Sequence, residues 1–161
     1  MRRQRGMVLL VGLLLSLLLG LLSASALHDA LIQARLGGLL LANARALEQA
    51  EAALLEGAAR LLLAPPAPCQ AACLPPPDAH DVQGGDLSWQ RTENGFFLLQ
   101  NLGESALAAQ VPEGVQVTLY RVTAVSRERQ ARHVLEAVYA LQADQAVAPR
   151  RLLWRQRLRR Q

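Results

Sequence analysis

Residues 7–27 run without a single charged side chain, and leucine dominates them. At about 1.5 Å of rise per residue, such a stretch makes a helix of roughly 30 Å, the thickness of a bilayer's hydrocarbon core. It cannot remain in water, and inside lipid only a helix satisfies its backbone N–H and C=O groups. Gly12, Ser16, Gly20, Ser23 and Ser25 are its only interruptions. Arg2, Arg3 and Arg5 stand in front of it, and the first charges behind it are Asp29 and Arg35. That asymmetry predicts a cytoplasmic N-terminus, with everything beyond Leu27 on the far side of the membrane.

Three fates are open to such a segment. It can stay as a plain signal anchor. It can be a secretory peptide removed at the small residues Ser23-Ala24-Ser25-Ala26, although its apolar run exceeds the roughly 7–15 residues usual there. Or it can be cut in front of the apolar run and survive. The third fate is raised by Gly6, which lies between the last arginine of the leader and the first apolar residue.

A short basic leader, a glycine and an apolar helix follow one another here. Arg5-Gly6-Met7-Val8-Leu9-Leu10 resembles a class III (prepilin) signal peptide. The resemblance implies that a prepilin peptidase cuts after Gly6 and methylates Met7 as the mature terminus. Most pilins carry a glutamate as the fifth residue of the mature chain, and here that residue is Val11. A carboxylate in lipid is costly, and pairing with a neighbour's terminal amine relieves the cost. In pilins that pairing docks an incoming subunit onto the one above. A subunit without the carboxylate needs no subunit above it, and within the family its absence marks members at the filament tip.

Residues 28–63 still look helical, rich in Ala, Leu, Gln, Glu and Arg. Leu27, Leu31, Leu36, Leu39, Leu40, Leu47, Leu54, Leu55 and Leu62 recur at helical spacings, with Arg35, Asn43, Glu48, Glu51 and Arg60 between them. Gly37-Gly38 interrupts, at about 1 kcal/mol per glycine relative to alanine, so a kink or melted turn is one expectation there. Either one helix runs from Met7 to about Ala64, a membrane half followed by an amphipathic half, or a membrane helix is followed by a separate one. The stretch Gln49-Ala50-Glu51-Ala52-Ala53-Leu54 is similar to a Gln-Ala-Ala-Glu-Ala-Ala-Leu-type stretch of the PilX-type minor pilins. From the residues alone, Glu51 reads as a solvated helix position.

Ala64-Pro65-Pro66-Ala67-Pro68 ends the helix, because proline cannot continue it. Cys69 and Cys73 follow at a spacing of four, then Pro75-Pro76-Pro77. Two cysteines in an exported chain predict a disulfide, closing a loop too small to add much chain entropy. Metal binding is the rival, but only Asp78 and His80 lie near and zinc wants a firmer ligand set. A Cys-x-x-x-Cys loop after the spine helix is also similar to PilX-type chains. Residues 78–85 are polar. Asp78, His80, Asp81 and Asp86 lack the spacing of a calcium loop and read as an ordinary solvated loop.

Strand signals begin at Leu87. Residues 87–91 alternate, Glu93-Asn94-Gly95 predicts a hairpin turn with positive φ, and Phe96-Phe97-Leu98-Leu99-Gln100 is the returning run. Residues 115–125 form the clearest strand, rich in β-branched residues after the turn Pro112-Glu113-Gly114. Residues 126–130 are a charged turn, and residues 132–140 are the partner strand. The last two strands are similar to the C-terminal hairpin of PilX-type chains. His133 and His28 are read as surface or interface residues, since no nucleophile or acid is placed beside either.

The formal charge of +4 has a simple anatomy. Residues 28–149 hold 8 arginines and all 13 acids, a net −5, while the leader adds +3 and residues 150–161 add +6. A basic balance confined to the two ends is poor support for nucleic-acid binding. The tail, with Leu152, Leu153, Trp154 and Leu158 among its arginines, has two equal readings: a frayed end, or a strand or helix docking on an acidic partner or anionic lipid.

The expected fold is α+β and pilin-like: a long N-terminal helix packed on an antiparallel sheet of about four strands. The expected organisation is a leader (1–6), a transmembrane half-helix (7–27), an amphipathic half-helix (28–64), a proline-rich loop with the cysteine pair (65–86), the sheet (87–147) and a basic tail (148–161). The resemblance implies a structural protein of pilus assembly with no catalysis and no cofactor. Its implied partners are other minor pilins and the major pilin, the prepilin peptidase, the inner-membrane assembly platform, a tip adhesin and the lipid bilayer. A tip pseudopilin of a type II secretion system and a plain membrane-anchored periplasmic binding module are the alternatives. The pseudopilins normally carry a larger inserted domain.

Overall fold

In the computed structural model, the described residues are 3–69, 73–76, 88–128, 131–142 and 148–158. A single helix, α1, spans Arg3–Leu63 and is followed by five strands: β1 (Gln90–Arg91), β2 (Gly95–Ser105), β3 (Val117–Ser126), β4 (Val134–Leu141) and β5 (Arg150–Arg157). The strands form one antiparallel sheet in the order of the sequence. Gly37-Gly38 does not interrupt α1, which stays helical through both residues.

The chain divides into two compact units, residues 1–41 and 42–161. In the first, the large apolar side chains from Met7 to Leu41 are all exposed. From Met7 to Leu27 the helix is uncharged on every side, so it has no core to face in water and its natural solvent is lipid. The segment is long and apolar enough to cross a membrane. Ser16 Oγ donates to the Leu13 carbonyl at 2.9 Å and Ser23 Oγ to that of Leu19 at 2.8 Å, so neither hydroxyl is left unmet.

In the second unit the helix faces the sheet with small residues. Ala46, Ala50, Ala53, Leu54, Ala58 and Leu61 are buried, at helical spacings that share one stripe. They meet Phe97 of β2, Tyr120, Val122 and Ala124 of β3, and Leu135, Ala137 and Tyr139 of β4. The sheet supplies the bulk and the helix supplies the room. At Gly57 a methyl group would lie 2.6 Å from Val122 Cγ1 and 3.1 Å from Phe97 Cδ2, so only glycine fits this approach. Leu55 and Leu62, expected among the recurring apolar positions, point away and are 63% and 50% exposed.

The opposite face of the sheet carries Gln100, Arg121, Thr123, Val125, Val134 and Glu136, by strand alternation. The proline-rich segment crosses it. Pro68 bridges to Asn101, the Cys69 N–H donates to the Asn101 carbonyl, and Asn101 Nδ2 donates to the Pro66 carbonyl. Gln100 Nε2 donates to the Leu74 carbonyl at 2.9 Å. Trp89 covers Val125 and Val134 on the same face.

Two expectations change. The Asn94-Gly95 turn joins β1 to β2, but neither residue takes a positive φ. Thr92 organises it instead, its Oγ1 accepting from the backbone N–H groups of Asn94 and Gly95 at 3.2 and 3.0 Å. Gly95 is required for space, because a Cβ there would strike the Val125 carbonyl of the paired strand. The basic tail, set apart from the sheet in the sequence, is in fact its fifth strand, β5, hydrogen-bonded along β4. The physical reason is a carboxylate on β4 placed to receive its arginines.

Candidate functional site

That carboxylate is Glu136, 1% exposed at the centre of β4. A buried ionised carboxylate is tolerated only when paired and hydrogen-bonded. In register it sits opposite Thr123 of β3 and Arg155 of β5. Its Oε1 lies 2.8 Å from Arg155 Nη2 and 3.2 Å from Arg121 Nε, and its Oε2 lies 3.8 Å from Arg157 Nε. Three strands are thus tied through one acid.

The disulfide loop closes this cluster from above. Arg121 Nη1 donates to the Cys73 carbonyl at 2.8 Å and to Gln100 Oε1 at 3.3 Å, while Arg157 Nη1 donates to the Pro76 carbonyl at 2.8 Å. Burial holds the Arg121 guanidinium below the ordinary arginine value. Glu136 opposes that shift, and Arg155 and Arg157 add to it. The cluster holds three cations against one anion. Its chemistry is to lock a loop and an edge strand onto the sheet and to leave positive charge at the β5 rim.

Cys69 and Cys73 form the expected disulfide, with 5.7 Å between their Cα atoms. With the cysteines bridged, the backbone carbonyls of the loop meet Arg121 and Arg157. Among the described residues no three His, Cys, Asp or Glu side chains converge as metal ligands. Asp78, His80, Asp81 and Asp86 lie outside the described residues.

The helix stretch picked out in the sequence is a packing segment. Ala50, Ala53 and Leu54 are buried against the sheet, Gln49 Oε1 accepts from the Glu128 N–H at 3.1 Å, Ala52 is half-buried and Glu51 is exposed. At the N-terminal end, Gly6 lies within α1, and Met7 and Val11 are 69% and 49% exposed on it.

His133 has a place the sequence did not indicate. Its Nε2 is 2.8 Å from Asn43 Oδ1 and its Nδ1 2.6 Å from Gln156 Nε2, linking α1 to β5 across the sheet. The residues that sequence reasoning missed are Glu136 and its arginines. The one signal was an acid inside an otherwise apolar strand, since Val134, Leu135, Ala137 and Val138 surround it. No family model, no curated protein and no solved structure matches this chain.

Proposed function

We propose that this chain is a minor pilin that takes part in the initiation and assembly of a type IV pilus, near the filament tip. It is cut after Gly6, methylated at Met7 and held in the inner membrane with its sheet in the periplasm, then incorporated into the filament. Its contribution is structural and involves no catalysis. It offers a helix to the helices of other pilins and the major subunit, and it offers a sheet to neighbouring subunits or a tip adhesin.

The observation that carries this reading is the division of labour along α1. Its first part exposes apolar side chains from Met7 to Leu41, and its last part buries an alanine stripe against the sheet. A soluble enzyme has no use for the first, and a simple anchor does not require the second. Gly12, Ser16 and Gly20, four residues apart, also allow close approach of another helix in lipid. Val11 in place of a carboxylate supports a position at the tip.

Mass spectrometry of the mature chain tests the reading. A methylated Met7 terminus is expected. An intact Met1 would make the chain a plain anchored module, and a start after Ala24 or Ala26 would make it a secreted one. Either result removes the pilin proposal.

A further inference from the structure

We propose that β5 is the docking edge for an acidic partner strand. An extended segment of a different subunit, with carboxylates at alternate positions, adds as a sixth strand beside Arg150–Arg157. The inference concerns an edge of the sheet and stands whether or not the chain is a pilin.

Among the described residues β5 is one end of the strand order, so one row of its backbone N–H and C=O groups has no strand beside it. The other end is closed differently. β1 is only two residues long, and beyond it Pro68 and the Cys69 N–H occupy Asn101 of β2. On β5 the register shifts opposite Val138 and Tyr139, and Leu152 packs against the cluster of Ala108, Val117 and Ala140, which leaves residues 153–157 as a regular edge. Leu153 and Trp154 on that edge are 49% and 41% exposed. Tryptophan and arginine are the residue types on which interface energy concentrates.

Charge selects the occupant. Residues 148–158 hold four arginines and no acid, against the single carboxylate of Glu136 beneath them. Pairing β5 with β5 of a second copy would set arginine against arginine. Pairing it with the β1 edge of a second copy would set it against Arg91. Like charges directly opposite disfavour both. A strand bearing carboxylates meets none of this repulsion and offers the bidentate acceptors that guanidinium groups prefer. Arg155 and Arg157 are already aligned by Glu136 at 2.8 and 3.8 Å, so less side-chain freedom is lost when a partner arrives. The same arginines thus reject self-association and specify an acidic strand, which is edge addition with charge as the filter.

The test is amide hydrogen exchange of residues 150–157 in the full chain, reconstituted in phosphatidylcholine nanodiscs. The probe is an eight-residue peptide of alternating glutamate and valine. Its controls are the lysine–valine twin and the glutamate–valine peptide N-methylated on alternate amides. The glutamate peptide is expected to bind and to slow exchange along β5, and the lysine and N-methylated peptides are not. Arg150→Gln, at an exposed position, is expected to weaken binding by about threefold with an unchanged melting temperature. No binding of the glutamate peptide overturns the proposal, as does equal binding of either control. Protection of β5 by phosphatidylglycerol nanodiscs without peptide would assign the edge to a membrane surface instead.

Discussion

Replacing Glu136 by glutamine keeps the side chain's shape and removes its charge from among three guanidinium groups. Those groups differ in their recourse to water: the side chains of Arg155, Arg157 and Arg121 are 50%, 27% and 14% exposed. Arg155 turns to solvent at small cost, and Arg157 partly does. Arg121 is held under the disulfide loop by the Cys73 carbonyl, and Glu136 is what counters its desolvation. Removing one partner of a buried ion pair costs about 3–5 kcal/mol. Because two of the three cations regain hydration, the low end applies, about 3 kcal/mol. The assay is urea unfolding of the full chain in detergent, followed by the fluorescence of Trp89, which packs on Val125 and Val134, and Trp154, opposite Ala137. The midpoint falls and the slope stays constant, because the surface exposed on unfolding is unchanged. Glu136→Leu combined with Arg121→Met replaces the pair by apolar groups, and its loss should fall short of the two single losses added together by about 2 kcal/mol. A loss below about 1 kcal/mol for Glu136→Gln, or strict additivity in the double variant, refutes the idea that Glu136 holds the three strands together.

Gly57→Ala is expected to lower stability by about 1 kcal/mol despite alanine's better helix propensity, since the new methyl group meets Val122 and Phe97. Gly37→Ala, with open space around it, should show no such loss in the same urea titration. Burial raises the Tyr139 phenol above its ordinary 10.0, against the opposing pull of Arg151. The folded state therefore favours the neutral phenol, and stability present below that ordinary value is lost as pH rises through the raised one. Tyr139→Phe should flatten the alkaline limb of a melting-temperature profile, and an unchanged limb would count against it. Cys69→Ser with Cys73→Ser should cost about 2 kcal/mol or less, because the loop is short. Exchange of the Cys69 amide, which is bonded to Asn101, should nevertheless rise sharply.

Much of this architecture is written in local signals. The uncharged run from Met7 to Leu27 with arginines only in front, the prolines after Leu63, the paired cysteines and the β-branched residues of β3 each act on their own neighbourhood. The helix, its end, the disulfide loop and the central hairpin therefore follow from reading along the chain. Other features required elements far apart in sequence to meet. Alanines outnumber leucines in the buried stripe of α1, where only Leu54 and Leu61 join them among the described residues, because Phe97, Tyr120, Val122 and Leu135 already fill much of the space between helix and sheet. Gly95 is fixed by a carbonyl thirty residues away on Val125, not by the turn it ends. The tail's arginines read equally as a loose basic end or as a docking strand or helix until Glu136 stands opposite them. Hydropathy and backbone stiffness are properties of a segment, and the sequence alone carries them. The partner of a buried charge and the volume left for a side chain are properties of two surfaces in contact, and only the folded sheet determined those.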